Sequence, residues 1–537
     1  MKKRSIKKVL ALGLAGAMLC GMLTACGGSG DTGSAGSAGT TTQAAAIGGE
    51  SRKDGIIRVG MSSDITSLDP HANNDVNSSN ATRHIYNNLV RVTNDGEVLG
   101  DLAESWEFLD DMNVQFKLKE GVKFSDGTPL TSEDVKFSLE RQKASAKVGH
   151  LVAMIDNVEV VDDLTFIIHM NQPSNALLTS LAHAGGAILC KSYTEKLESE
   201  GKKLADAPMG TGPYTFVSWM AGTSVELKKN PNYFDPERAA KNEGLILKAI
   251  TEETSRTIAL ENGEIDVLLN VGTNDAQKIR ENSNLILDEF ECAQNEMVVM
   301  NTTKPPFDNK LVRQSVNYAV NKEDALIVAI NGEGTTIDGY LAPAAIGAKD
   351  TAVKYEYNPE KAKELLAEAG YADGFTFTVF SSSDGRSRAA TAIQANLQQV
   401  GITMNIEQME SSTFYERTGN GEHDACMQGW AENAEPDNTY RPAAARGGRF
   451  RRGLAGAGGN RAFYKNPEVD ALIDDAATNR DAAKVDEDYK KITEIVSDDA
   501  IWVPLYSQTG FVARNKDLQG VEISTFSMHV LSGAHYE

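Results

Sequence analysis

Short apolar strands alternate with sharply punctuated helices along most of this 537-residue chain, and that alternation restricts it to α/β architectures. Asn358-Pro359 opens PEKAKELLAEAG, which Gly370 stops, and Asn466-Pro467 opens PEVDALIDDAA in the same way. Proline is tolerated at the first helical position because that N–H has no partner within the helix. Between such helices stand FTFTVF at 375–380 and ITMNIEQ at 402–408. IIRVG at 56–60 and LTFIIHM at 164–170 lie upstream. NVQFKL at 113–118 sets Val114, Phe116 and Leu118 against polar neighbours, the period-2 mark of a half-buried strand. KFSDGTPL turns at Asp126-Gly127, and Thr131 then caps a helix with an acidic first turn. Trp106, Phe116, Phe124 and Phe137 read as core, and the apolar run Ala176 to Cys190 as a core helix. No repeat of 20 to 50 residues is visible, and the length asks for two or three domains.

The start of the chain, MKKRSIKKVLALGLAGAMLCGMLTAC, joins five cations to an apolar stretch too short to make a good spanning helix. It ends in Leu23-Thr24-Ala25-Cys26, the pattern of a bacterial lipoprotein signal, so residues 1–26 are expected to be a signal peptide with its lipidation box. Cleavage before Cys26 and acylation of its sulfur would tie the protein to the outer face of the cell membrane, because two acyl chains anchor stably. Residues 27–54 are Gly/Ser/Ala/Thr-rich and are expected to form a flexible tether spanning on the order of 30 Å. The formal charge of −22 becomes more negative once the five cations leave, which argues against nucleic acid as a partner. Cys190, Cys292 and Cys426 remain, odd in number and widely spaced, and read as buried small hydrophobes.

The segment GEVLGDLAESWEFLDDMNVQFKLKEGVKFSDGTPLTSEDVKFSLER at 96–141 strongly resembles the signature of the family-5 extracellular solute-binding proteins of ABC importers, the peptide and nickel group. MGTGPYTFVSWMAGTSVELKKNPNYF at 209–234 and NTTKPPFDNKLVRQSVNYAVNKEDAL at 301–326 are similar to further family blocks and follow in the family's order. So are NRAFYKNPEVDALIDDA at 460–476 and IWVPLYSQ at 501–508. The resemblance implies an α/β, two-lobed periplasmic-binding-protein-like fold of the large peptide-binding type, with an extra subdomain in the first lobe. The first lobe would span 55–300, with the subdomain at about 90–207, and be completed by 504–537. The second would span 301–503. Gly210, Gly212 and Pro213 would shape a turn. A ligand between the lobes would close them by binding the closed state more tightly. The implied partners are short peptides, an ABC permease and its ATPase. The chain is expected to act as a monomer without a cofactor.

A peptide is a zwitterion with a row of backbone donors and acceptors, so its pocket needs a carboxylate, a strand edge and often a cation. Peptide-binding relatives hold the amino terminus with an aspartate a few residues after a Gly-Trp pair. Here the text is Gly429-Trp430-Ala431-Glu432-Asn433-Ala434-Glu435-Pro436-Asp437. Anchoring on Trp430 puts Asn433 at that aspartate; anchoring on the acid-Pro pair puts Glu432 there. Glu432 is favoured because an ammonium leaving water needs a full opposite charge. Trp430 would wall the pocket, and Asp437 lies in the same loop. Arg386 stands near the place of a carboxylate-holding arginine, while Asn74, Asp75 and Val76 stand where oligopeptide-binding relatives offer a strand edge.

RPAAARGGRFRRGLAGAGG at 441–459 packs five arginines into an acidic protein and lacks the apolar periodicity around it. A basic patch, an inserted loop and a short frame slip in the gene record are the three readings. The frame slip is preferred because family-like text resumes at Asn460, and resequencing the locus tests it. A lipid-anchored extracellular hydrolase is the rival class. Against it, the chain carries no GxSxG, HExxH or GxxxxGK[ST] motif. A receptor for nickel, another metal complex or haem is the rival within the family, although the eight histidines show no paired ligand spacing.

Overall fold

A computed structural model describes residues 54–345, 347–431 and 459–537. The signal and tether segments, Glu432, Asn433, Asp437 and nearly all of the arginine-rich stretch lie outside the described residues.

The main sheet has eleven described strands. These are β1 (Ile56–Met61), β2 (Tyr214–Met220), β3 (Ser224–Lys229), β4 (Gly244–Ala249), β5 (Val267–Leu269), β6 (Leu285–Met300), β7 (Gly334–Thr336), β8 (Thr376–Ser381), β9 (Thr403–Gln408), β10 (Ala425–Ala431) and β11 (Trp502–Asn515). Their order is β9-β8-β10-β6-β11-β5-β1-β4-β3-β2, with β7 also on β11. The long antiparallel pair β6 and β11 therefore belongs to both halves of the sheet. It runs in register from Leu285 opposite Asn515 to Val299 opposite Trp502, with shifts between Glu291 and Asn295 and between Glu296 and Met297. Such bulges bend a strand and raise its local twist. Ser507 bridges the first shift, its Oγ donating to the carbonyls of Cys292 at 3.0 Å and Gln294 at 2.9 Å.

Each half has its own core. Val298, Met300, Val503 and Leu505 join Phe307, Phe377, Val379 and Ile393 in one cluster, while Val512 joins Ile57, Val59, Leu245 and Leu247 in the other. Burying each such side chain is worth about 1.5–3 kcal/mol, so β6 and β11 are held at both ends. Among the described helices are α1 (Val76–Ile85), α2 (Glu253–Glu261), α3 (Thr273–Arg280), α4 (Asp384–Gln398), α5 (Ser411–Gly419), α6 (Pro467–Thr478) and α7 (Ala482–Asp498). The Gly210-Thr211-Gly212 turn packs directly on the end of α1. A Cβ on Gly210 would meet the Ile85 carbonyl oxygen at 2.3 Å, and one on Gly212 its carbonyl carbon at 2.5 Å.

A separate four-stranded antiparallel sheet orders Ala103–Phe108, Asn113–Leu118, Thr165–Met170 and Ile155–Val160. Phe116 stacks on Phe166 with centroids 5.3 Å apart. Phe124 is buried with them, whereas Trp106 and Phe137 are only half-buried. The helix Ser132–Ala144 starts after Thr131 as expected, and the cap is a capping box in which the Thr131 backbone N–H donates to Asp134 Oδ2 at 2.9 Å. The run from Ala176 to Cys190 is not one helix. Only Leu177–Ala182 is α-helical, a 3₁₀ turn follows at Ala184–Gly186, and the rest is a buried irregular segment. The backbone turns extended at His183, ahead of the helix-weakening Gly185-Gly186 pair, and a Cβ on Gly185 would sit 2.7 Å from Val148 Cγ1.

This small sheet's body also touches the end of α6. Asn175 donates its backbone N–H to the Ala477 carbonyl at 2.9 Å. Its Nδ2 donates to the carbonyls of Ala476 at 2.9 Å and Asn479 at 2.6 Å. Arg480 returns a bond to Asn175 Oδ1 at 3.1 Å and lies 4.3 Å above the Phe108 ring. Among the described residues no helix is long and apolar enough to cross a membrane. Cys190, Cys292 and Cys426 are buried and unpaired.

Candidate functional site

The site is defined by where strands end. β8 is parallel to β9 and β10, and β1 is parallel to β4 and β5. Ala431 at the end of β10 faces Gln294, and Leu269 at the end of β5 faces Val512. The carboxyl ends of both strand sets thus point at the middle of β6 and β11 from opposite sides. Ligands of α/β sheets bind outside the carboxyl ends of strands, and here two such edges confront each other across the bulged crossing.

On one face of β10 the end is built around an ion pair. Arg386 lies in the first turn of α4, which Ser383 caps, and Glu296 projects from β6 opposite Gly429. Arg386 Nε donates to Glu296 Oε2 at 2.9 Å and Nη2 to Oε1 at 3.0 Å, while Nη1 reaches Ser382 Oγ at 3.1 Å. Both side chains are mostly enclosed, at 18% and 15% exposure. Burial opposes the guanidinium charge and Glu296 more than offsets it, so its pKa is held above the usual value. Tyr506 opposes Glu296 on β11, and burial together with that carboxylate pushes its phenol pKa up. Gly429 is required here, because a Cβ would stand 2.2 Å from Glu296 Oε1 and 2.5 Å from Arg386 Nη2.

Trp430 points to the other face by strand alternation and is half-buried. Its backbone N–H donates to Asn295 Oδ1 at 3.2 Å, and Asn295 in turn donates to the Tyr340 carbonyl. The Tyr340 ring stacks on Trp502 with centroids 4.0 Å apart. The structure thus brings Trp430 and Arg386 to one stretch of β10. Residues 74–76 form the start of α1: Asp75 is its N-cap, accepting from Ser78 N at 2.8 Å and Thr66 Oγ1 at 2.6 Å. Asn74 and Val76 are exposed. No hydrogen bond among the described residues joins 74–76 to β10 or to Arg386. Asn295 and Glu296 were not found from sequence, although a lone acid inside the apolar run NEMVVM was a visible signal. Among the described residues no group of three or more His, Cys, Asp or Glu side chains is placed to hold a metal ion.

A sheet whose halves share two bulged strands and turn their strand ends to each other defines the class: this is the α/β periplasmic binding protein fold of the oligopeptide-binding type. The chain belongs to the bacterial extracellular solute-binding proteins, family 5, whose middle region it matches over residues 97–450. That family comprises non-enzymatic solute-binding proteins of ABC importers, the peptide and nickel group. The glutathione-binding protein GsiB of Pectobacterium atrosepticum is 32% identical over 483 residues, covering 87% of this chain and 91% of that protein. The structure of DppA from Helicobacter pylori in complex with the peptide STSA superposes with a TM-score of 0.75 at 29% identity, covering 90% of this chain and 98% of that one. AppA from Bacillus subtilis in complex with a nonapeptide gives 0.72 at 25% identity, covering 90% and 99%.

Proposed function

We propose that this protein is the lipid-anchored receptor of an ABC importer that captures short peptides or glutathione-like compounds between two lobes and delivers them to a membrane permease. The observation that carries the reading is the end of β10, where Trp430 and the Glu296–Arg386 pair flank Gly429 at the confronted strand edges. The relatives' ligands, glutathione and peptides, support the chemical class. Among the described residues three of Arg386's five N–H donors are engaged, and the other two would serve a ligand carboxylate. Glu432 would take the ammonium, with Asn433 and Asp437 beside it, and Trp430 would wall the pocket. The backbone at Asn74, Asp75 and Val76 would offer polar groups to the ligand main chain.

The lobes in this reading are 55–300 with 504–537, and 301–503. The bulged middle of β6 and β11 is their hinge, and the ligand closes it only by its preference for the closed state. Cys26 carries the acyl anchor, and residues 27–54 let the body reach the permease. Native mass spectrometry of the body from about Arg52, before and after denaturation, tests the ligand class. Released peptide-sized or glutathione masses are expected, weakened in Glu432→Ala. Release of nickel or a tetrapyrrole would overturn the peptide reading. Metabolic labelling with a fatty acid, lost in Cys26→Ala, tests the anchor.

A further inference from the structure

We infer that the side-chain carboxamide of Gln428 pairs with a peptide group of the bound ligand and thereby selects ligands that contain a secondary amide. Gln428 stands on β10 two residues before Trp430, on the same sheet face, with its backbone in the ladder opposite Met297. It is only 8% exposed. Its Oε1 is sealed from solvent without a hydrogen-bond partner, and among the described residues its Nε2 makes no hydrogen bond either. Native proteins satisfy the large majority of buried polar side-chain atoms, so an orphaned one midway along β10, three residues before its end at Ala431, asks for a partner that arrives later.

The chemistry of the orphan narrows that partner. A carboxamide presents one acceptor and one donor side by side in a plane, which complements the N–H and C=O of a peptide group. An apolar or metal-centred ligand without an amide would leave Gln428 buried and unpaired, a cost it would carry into every complex. The neighbours cannot substitute. Asn295 is committed to Trp430 and Tyr340, and Cys426 on the same face is fully buried. Gln428 thus reads the ligand's main chain on the Trp430 face, while the ion pair lies on the other face of the same strand.

This inference rests on the peptide reading of the site, and the test separates the two. Titration calorimetry would compare wild-type protein with Gln428→Met, using reduced glutathione, Ala-Ala and Ala-Ala-Ala as probes, together with the melting temperature of each free protein. A probe that binds the wild type is expected to bind Gln428→Met at least about tenfold more weakly, while the free variant melts at or above wild type because its orphaned group is gone. Affinity within about twofold of wild type would overturn the inference alone. Failure of the wild type to bind any of the probes would sink the peptide reading and the inference with it. A crystal structure of a wild-type complex decides the point should the variant fail to fold. A ligand amide bonded to Gln428 supports the inference, and a water there, or no contact, overturns it.

Discussion

Glu296 holds Arg386 through both carboxylate oxygens, at 2.9 and 3.0 Å, directly over the space that Gly429 leaves empty. Strand, helix and turn are thereby fixed to one another by two charges that are mostly out of water. The pair orients the guanidinium before any ligand arrives.

Removing one partner should cost far more than removing both. Arg386→Ala leaves a largely enclosed carboxylate and is expected to lose about 3 kcal/mol of stability, whereas Glu296→Leu with Arg386→Leu recovers most of it. Urea denaturation of the two single variants and the double variant measures the coupling. Equal losses in all three would sink the argument.

Gly429→Ala forces a methyl group against both members of the pair. We expect a melting point lower by several degrees and ligand affinity at least about tenfold weaker, since Arg386 must rotate away. Thermal melts and calorimetry on the same preparation check both, and an unperturbed affinity would exclude the Arg386 side of the strand from the site.

Acid should destabilise the fold in a defined window. Burial lowers His71, His84, His183, His423 and His529 to about 4 from 6.5. The folded state keeps them neutral while the unfolded chain protonates, so stability is complete above pH 6.5 and is lost as pH falls from 6.5 to 4. Each such histidine adds to the slope in the same direction, by on the order of 1 kcal/mol per pH unit at most. Denaturant midpoints across that range should fall steeply, and a flat profile would contradict the burial.

Asn175 caps the end of α6 from another part of the fold. If closure creates that contact, Asn175→Ala should weaken ligand binding by about 5- to 30-fold, equivalent to about 1–2 kcal/mol, with little change in the free protein's melting point. A lowered melting point with unchanged affinity would make the contact permanent instead.

Period-2 and capped-helix signals located NVQFKL, FTFTVF, ITMNIEQ and the helices at Pro359 and Pro467 to within a residue or two, because those signals are local. The run from Ala176 departs from a single helix at a local breaker that its apolar composition masks, the Gly185-Gly186 pair, which follows the helix end at Ala182. Trp430 and Arg386 were named through resemblance. Glu296 was not, since it lies 90 residues from its partner and the two meet only where the register of β6 on β10 and the start of α4 coincide at Gly429. The orphaned state of Gln428 is equally invisible without the ladder that buries it.

The sharing of β6 and β11 has a consequence for how the polypeptide matures. Val503 and Leu505 complete one core and Val512 the other, so both wait for a strand that begins at Trp502. A nascent chain stopped short of it would leave both of those interiors unfinished, with only the small sheet's core, Leu89 to Met209, complete. Synthesis can therefore run nearly to its end before the chain commits to its native form. Were the chain exported unfolded, as the signal expected at residues 1–26 would direct, that delay would be an advantage.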